Sequence, residues 1–572
     1  MSRALRSAVA NQTAPVAFDR EAALASLRGT ALDVLVVGGG ITGVSVALDA
    51  VTRGLTVGLV ERADFAAGTS SASSKMIHGG LRYIEQKEVR LVYHSLLERQ
   101  RMYERAPHLV SRLPFLFPIY RDKGVFSPGV ARTLRAGLIA YDALGGWRIG
   151  RRHRRISREQ VLTQCPTLRP EGLLGGLLYF DCRTDDARLT LAVARTAAML
   201  GAHVANRAEV VALESSRGGH VATVRATGAD GTSEDLRVRA KVVVNAAGVW
   251  SDAVSTLADA DHRHQIRPAK GVHVVVPWEK VRSQSTLTFP MLGGARGKGG
   301  KGFVVRWGDH CYVGTTDSTY TGDLDDPRCT RAEARTLLES LSAALSTEIT
   351  VEDVTSTWAG LRPLIDTGGG DTSELSREHE VTEQDGVVTV AGGKLTVART
   401  MAQIATDKVC GLLGTRRTCR TADLPLVGGA DFDAEAVEAT GGRFGHLSGR
   451  YGTEARFVED LIAAAPALAE PMAPGLPYLW AEAVYAIRHE MARTVGDVLT
   501  RRVPARILDS RAAASVADGV GELLAAELSL PGHEADRQVA EFVADVRRER
   551  EALGLPASAG TAQHSGPVAP KR

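Results

Sequence analysis

Residues 32–61 read LDVLVVGGGITGVSVALDAVTRGLTVGLVE, a segment that leaves little choice of fold. The apolar run into Val37 predicts a buried strand, the glycines a tight turn, the next stretch a helix, and TVGLVE a second strand ending on an acid. Gly38, Gly40 and Gly43 hold the three positions of a G-x-G-x-x-G turn. Such a turn lets backbone approach a pyrophosphate and packs helix closely on strand. It also aims the first helical N–H groups, here around Ile41 and Thr42, at negative charge. Glu61, with Arg62 beside it, stands where a carboxylate accepts hydrogen bonds from a ribose 2′-hydroxyl. The unit predicts a dinucleotide site in an α/β chain. These residues alone leave NAD and FAD open.

Composition narrows the rest. A chain of 572 residues is too long for one core, so two or three domains are expected. With 69 Lys+Arg against 66 Asp+Glu the net charge is only +3, which argues against a nucleic-acid binder and makes any anion recognition local. The six cysteines are scattered without a C-x-x-C pair, so neither a zinc site nor a disulfide framework is expected, and a reduced cytosolic compartment fits. The longest uncharged apolar stretch, 34–48, falls short of the roughly 20 residues a membrane span needs. No apolar segment follows the basic residues near the N-terminus, so no secretory signal is expected. G-x-S-x-G and H-E-x-x-H motifs are absent, which sets aside the hydrolase and metalloprotease classes that use them.

The segment AAGTSSASSKMIHGGLRY, 66–83, is dense in hydroxyls and glycines that suit a large flat cofactor. Together with the preceding unit it resembles the FAD-dependent sn-glycerol-3-phosphate dehydrogenases. The resemblance continues through HSLLERQRMYERAPHL at 94, YFDCRTDDARL at 179, KVVVNAAGVWSD at 241, KGVHVVVP at 270, YVGTTDS at 312, AGLRPL at 359 and AGGKLT at 391. YAIRHEMARTVGDVLTRR, 485–502, resembles the family's C-terminal domain. Val484, Ile487, Met491, Val495 and Val498 there predict one helical apolar face.

The fold implied is α/β: a Rossmann-like FAD-binding domain, an antiparallel-sheet substrate domain of the D-amino-acid-oxidase kind and a helical C-terminal domain. The FAD domain is expected over 30–105, 187–262 and 352–420, and the substrate domain over 106–186 and 263–351. HVVVP, TLTFP, GFVVRW and HCYVGTTD are expected as strands of the substrate sheet. A flexible arm, 1–29, ending in a short helix is expected ahead of these pieces. The helical domain follows over 421–555 and a disordered tail over 556–572.

The resemblance implies FAD as cofactor, held by Gly38, Gly40, Ile41, Thr42, Gly43, Glu61 and Arg62. It adds Thr69, Ser70, Ser71, Ser73, Ser74, Lys75, His78, Gly79 and Gly80, then Val210, Ala246 and Gly248. Gly392, Gly393, Lys394, Leu395 and Thr396 complete that set, the glycine turn leading into a helix whose N-terminus faces the flavin. Arg82, Tyr83, His273, Arg362 and Lys394 are implied for the substrate. His273 is the candidate proton acceptor, Arg362 and Lys394 are the catalytic cations, and Thr316 and Asp317 orient the pocket. The implied reaction oxidises sn-glycerol 3-phosphate to dihydroxyacetone phosphate, passing electrons to a membrane quinone. Oxygen as acceptor, or a non-catalytic flavin-binding redox sensor, are the competing readings. The insoluble acceptor and the run WRIGRRHRRISR, 147–158, imply peripheral attachment at the inner face of the cell membrane. Each well-placed cation contributes about 1 kcal/mol of attraction to anionic lipid. A homodimer is implied by the resemblance only. The chain departs from the family at Arg306, where a proline is usual before the tryptophan, and in the cation-bearing loop GGARGKGGKG, 293–302, with Arg296, Lys298 and Lys301.

Overall fold

Strand Ala31–Val37 shows how the sequence pattern becomes two packed layers. Its residues are buried on both faces, with Val34, Leu35 and Val36 fully inaccessible. Successive side chains of a strand point to opposite faces. Val34 and Val36 therefore join one core, with helices Ile41–Thr52, Asp186–Met199 and Ala398–Leu412. Leu35 and Val37 join another, with helix Arg20–Gly29. This strand lies between the parallel strands Ser233–Asn245 and Val57–Val60, the arrangement of a βαβ unit whose crossover is helix Ile41–Thr52. His203–Ala205 and Val387–Gly392 extend the sheet, also in parallel. The computed structural model that shows this describes residues 5, 9, 12–85, 88–121, 127–262, 264–292, 300–366 and 379–556.

A second sheet, of ten strands among the described residues, stands beside the first. Three of the segments expected as strands form there in full, within Ile266–Pro277, Thr286–Pro290 and Lys301–Trp307, and the fourth forms over His310–Gly314 and stops before its TTD end. Its pairings are antiparallel except between Thr286–Pro290 and Val110–Tyr120, which run parallel. Two boundaries differ from expectation. Strand Ser356–Ile365 pairs with Ile266–Pro277 in this second sheet, so the FAD-side piece does not resume at 352. Met76–Ile77 pairs with Leu173–Thr184 there too, so the Ser-rich segment crosses from one sheet to the other. The reason is ladder satisfaction: 356–365 is a ten-residue partner for a long strand that would otherwise leave an edge.

The N-terminal segment is partly fixed. Phe18 is buried, and Asp19 caps helix Arg20–Gly29, whose Leu24 and Leu27 pack on the first sheet. The tail 557–572 and the cations Arg296 and Lys298 lie outside the described residues.

The C-terminal third is helical, around its own core from Leu447 to Val546. The single helical face expected over 484–498 is broken. Helix Trp480–His489 ends at Glu490, and Met491 has φ 53°, outside helical space. Met491 packs instead into the dinucleotide-side core. The break has a cause in polar groups. Arg502 Nε and Nη2 donate to the Glu490 carbonyl at 3.0 and 2.8 Å, and Asp497 accepts from the Arg493 and Thr494 N–H groups.

Buried ion pairs join this domain to the first sheet. Arg502 grips Asp64 bidentately at 2.7 and 2.8 Å, and Arg501 adds a bond of 2.6 Å. Burial alone would raise the Asp64 carboxyl, but the two guanidinium groups hold it well below the usual carboxylate range. Arg188 meets Glu490 at 2.8 Å and Arg195 meets Glu454 at 2.5 Å. Among the described residues no helix is long and apolar enough to cross a membrane, and all six cysteines are free.

Removing one member of a buried ion pair costs about 3–5 kcal/mol, because the remaining charge stays desolvated. Arg502→Met is therefore expected to lower the first calorimetric unfolding temperature and to split the transition, the helical domain melting ahead of the sheets. An unchanged single transition would mean that this contact does not couple them.

Candidate functional site

A cavity of about 1680 Å3 runs between the two sheets. Ordinary small-molecule sites span about 300–1,000 Å3, so this one has room for an extended ligand and a second, smaller one. At one end lies the glycine turn. A Cβ on Gly38, φ 111°, would stand 2.6 Å from the Ala246 carbonyl oxygen, and one on Gly43 would stand 1.9 Å from the Gly38 oxygen. These clashes identify two positions where only glycine fits, and they leave backbone facing the cavity at Gly38, Gly40, Ile41 and Thr42. Ser70 Oγ accepts from the Ile41 N–H at 2.9 Å.

Glu61 also lines the cavity, and its oxygens accept from Gly39 N–H at 2.6 Å and Ala63 N–H at 2.8 Å. The acid expected at a ribose thus also fastens the turn to the end of the second strand. Burial pushes its carboxyl up, against those two bonds. Arg62 lies over the Trp250 ring, 4.5 Å from its centroid, and pairs with Asp325. With Val210, Ala246 and Gly248 these residues form the wall at this end.

The Ser-rich segment spends much of its polarity on the protein. Thr69 donates to the Leu361 carbonyl at 2.6 Å, and Ser73 Oγ to Asp186 at 2.6 Å. Lys75 is buried, pairs with Asp186 at 2.5 Å and donates to the Ser71 carbonyl at 2.8 Å. Lys75, Ser71, Gly43 and Gly79 are not among the residues that line the cavity, and the bonds of Lys75 tie the segment together beneath it. For Lys75 the reason is its counter-ion: a buried ammonium stays with the carboxylate that neutralises it. Thr69, Ser70, Ser73, Ser74, His78 and Gly80 do line the cavity.

At the opposite end, strands Ile266–Pro277 and Ser356–Ile365 supply one shared face. The register sets Ala269 against Arg362, Gly271 against Gly360 and His273 against Trp358. Alternation then puts Arg362 and His273 on the same side. Gly271 makes room for the arginine head, since a Cβ there would meet Arg362 Nη2 at 2.6 Å. Arg362 Nη1 donates to Asp317 at 2.9 Å, which fixes its fork. His273 stacks on Trp358, centroids 4.8 Å apart, and its Nε2 meets Ser74 Oγ at 3.0 Å. Burial, and then the Arg362 and Lys75 cations, hold its pKa well below the ordinary histidine value, so the ring is neutral near pH 7.

Lys394 lines the same cavity from the turn after strand Val387–Gly392. Its Nζ lies 3.7 Å from the centroid of the Tyr83 ring. Gly392, Gly393, Leu395 and Thr396 line the same stretch, ahead of the 3₁₀ turn Leu395–Val397 and helix Ala398–Leu412. The Thr396 hydroxyl accepts from the His78 N–H at 3.2 Å. The side chain of Arg82 lies outside the described residues.

The sequence reading missed a buried triad under the His-Gly-Gly turn. Asp181 accepts from Arg99 at 2.5 Å, from Tyr141 at 2.7 Å and from the Gly79 N–H at 3.3 Å. Its signal was an acid within the apolar run LLYFDC, which reads as a strand end until its partners are known. Arg306 resolves otherwise than as an anion contact. Its guanidinium lies 4.1 Å over the Trp278 ring and donates to Gln284, so the replaced proline leaves a surface stack.

Comparison with known proteins agrees with this architecture. The family profile described as FAD dependent oxidoreductase matches residues 33–408, and the one described as C-terminal domain of alpha-glycerophosphate oxidase matches 419–535. A glycerol-3-phosphate dehydrogenase of Mycobacterium leprae is 40% identical over 532 residues, 90% of this chain and 88% of that protein. A mitochondrial glycerol-3-phosphate dehydrogenase of Arabidopsis thaliana is 36% identical over 567 residues, 91% and 87% of the two chains. The crystal structure of the Bacillus halodurans glycerol-3-phosphate dehydrogenase complexed with FAD superposes with a TM-score of 0.73 at 30% identity, covering 92% of this chain and 97% of that one.

The glycine geometry makes a test. Gly43→Ala drives a methyl group into the Gly38 carbonyl and is expected to yield purified protein with little bound dinucleotide, read from absorbance per chain. Gly248→Ala meets nothing within 4 Å and pays only for its positive φ, about 1–2 kcal/mol, so it should retain the ligand. Equal retention by both variants would refute the close-approach reading of the turn.

Proposed function

Because this chain belongs to the FAD-dependent glycerol-3-phosphate dehydrogenase family, we propose that it converts sn-glycerol 3-phosphate and a membrane quinone into dihydroxyacetone phosphate and the quinol. The reading places it at the inner face of the cell membrane. The observation that carries it is that Arg362, His273 and Lys394 line the same cavity as the dinucleotide turn, Arg362 and His273 from one face of the second sheet. FAD bound in that cradle supplies the hydride acceptor, and the close approaches at Gly38 and Gly43 suit its pyrophosphate.

The chain's own groups do the rest. Arg362 presents a planar fork to the substrate phosphate, held in place by Asp317 and by the Thr316 carbonyl at 3.5 Å. Lys394 adds a compact positive charge braced on Tyr83. A phosphate anchored away from the reacting carbon turns binding energy into orientation. The C2 hydroxyl proton passes through the Ser74 hydroxyl to Nε2 of His273, which is free to take it because the ring is neutral. The Arg362 charge, close enough to depress that ring's pKa, also stabilises the alkoxide as it forms.

Anaerobic mixing with glycerol 3-phosphate should bleach the flavin absorbance, and protein that does not bleach would leave only the redox-sensor reading. Arg362→Ala should raise the substrate concentration for half-maximal reduction by on the order of 10- to 100-fold, the value of a charge-assisted hydrogen bond, with flavin content unchanged. His273→Gln should slow the limiting reduction rate by about 100-fold or more, as should Ser74→Ala if the serine carries the proton. A normal rate in Ser74→Ala alone would remove the relay and keep the histidine.

The pH dependence has a definite sign. A base whose pKa is lowered is lost only as pH falls through that lowered value. The limiting reduction rate should therefore stay flat through neutral pH and drop on an acid limb below 6.5. An acid limb at or above 6.5 would point to another base. Turnover with a quinone analogue, set against oxygen alone, decides the acceptor.

A further inference from the structure

Arg105, in the segment YERAPHL, carries a charge that the chemistry above leaves unused. It ends helix Val89–Arg105 and is only 6% exposed. Among the described residues its guanidinium makes one hydrogen bond, from Nε to the Leu424 carbonyl at 2.8 Å, and no ion pair. Burial first, and then the neighbouring Arg399 charge, bring its pKa down to about 10, so the group is still a cation at neutral pH.

The acids around it are committed elsewhere. Glu98 accepts from Arg399 at 2.7 and 2.6 Å and from Arg101 at 2.6 Å. Asp49 pairs with Arg53 at 2.5 Å, and Arg53 engages Asp407 as well. Arg53, Arg105 and Arg399 are thus buried cations set against two buried carboxylates, Asp49 and Glu98. Including the partly exposed Arg101 and Asp407 leaves the same imbalance, four cations against three carboxylates. The cation without a counter-charge is Arg105. A charge this far from water is costly unless one of opposite sign stands beside it.

Arg105 also borders a second, small cavity of about 20 Å3, room for one water-sized occupant. Arg399, Ser45 and Thr421 share its wall, which is otherwise apolar. Ser45 is buried, and its hydroxyl has no hydrogen-bond partner among the described residues. Two helices present their first turns to the cavity, Ile41–Thr52 at Ile41 and Ala398–Leu412 at Arg399, and the positive end of a helix favours an anion. A water there would satisfy N–H groups and leave the charge as it is. One small anion satisfies both, whereas sulfate or phosphate is too bulky for the space.

We propose that a small monovalent anion, chloride in a cell, binds in this cavity as a structural ion, held by Arg105 with the Ser45 and Thr421 hydroxyls as further donors. Ile41 lines both this cavity and the large one between the sheets. The ion therefore braces from behind the helix whose first turn faces the dinucleotide.

The test compares the full-length holoprotein in sodium chloride or bromide with the same protein in sodium gluconate at equal ionic strength, gluconate being too bulky for the cavity. The unfolding temperature of the wild type should rise saturably with halide, by on the order of 2 °C at ten times the dissociation constant. Arg105→Met should lose that dependence. Ser45→Ala keeps the charge and removes one donor, and should raise the halide concentration for half the effect by roughly 3- to 10-fold. Crystals soaked in bromide should show an anomalous peak within hydrogen-bond distance of the Arg105 Nη atoms. The FAD dissociation constant should fall about fivefold at saturating halide, the lower end of ordinary coupling between sites. A wild-type unfolding temperature indifferent to halide, or an unaltered halide response in Arg105→Met, would overturn the site. So would a bromide map without that peak, since a water would then be the occupant. FAD affinity that ignores a halide seen at Arg105 would discard the brace and keep the ion.

Discussion

One buried ion pair holds the two sheets in the relation that makes a site. Lys75 and Asp186 meet at 2.5 Å with almost no exposure to solvent, and the segment ending in Lys75 touches nearly everything that matters. Through Ser70 it reaches the N-terminus of helix Ile41–Thr52, and through Thr69 strand Ser356–Ile365. The Trp358 indole donates to the Ser73 carbonyl at 3.1 Å and the Tyr312 hydroxyl to the Ser74 carbonyl at 3.1 Å, which ties in the second sheet. A charge pair out of water is tolerable only when its remaining hydrogen bonds are satisfied, and here the Ser71 carbonyl and the Ser73 hydroxyl satisfy them. The constraint spreads outward, because a shift of Lys75 would move Ser74 and with it the bond to His273.

Glycine does comparable work on the substrate side, by absence of volume. Gly271 leaves space for the Arg362 guanidinium, and Gly360 leaves space for the Ala72 carbonyl, 2.3 Å from where its Cβ would stand. Both sit on the face that carries His273, so the two small residues in KGVH and AGLR are what allow an arginine, an imidazole and a loop to share one patch of sheet. Arg362 gains its orientation from Asp317 on the neighbouring connection, a preorganisation that loop residues alone seldom reach.

The first sheet and its turn were readable from 32–61 because burial, period and glycine placement all act locally there. His273, Arg362 and Lys394 were readable as candidates through the motifs around them, and the strand register then accounts for why two of them share a face. The hydroxyls of 69–75 could be counted but not assigned, since the choice between cofactor and protein partners depends on Asp186, more than a hundred residues away. Asp181 escaped for the same reason: a carboxylate between Phe180 and Cys182 acquires meaning only from Arg99 and Tyr141. Periodicity misled at 484–498, where side chains of the right spacing serve two different cores, because backbone acceptance by Glu490 from Arg502 outweighs continuation of the helix.

The bidentate grip of Arg502 on Asp64 has a consequence for how such a protein can change over generations. Asp64 stands three residues past Glu61, a residue of the cavity wall, and Arg188 and Arg195 on the first-sheet side likewise find their counter-charges in the appended helices. A lineage that shed those helices would strand three charges at once in a freshly uncovered surface. It would have to replace them together, so the appendage is inherited as a bloc with the nucleotide-binding half and not as a detachable accessory.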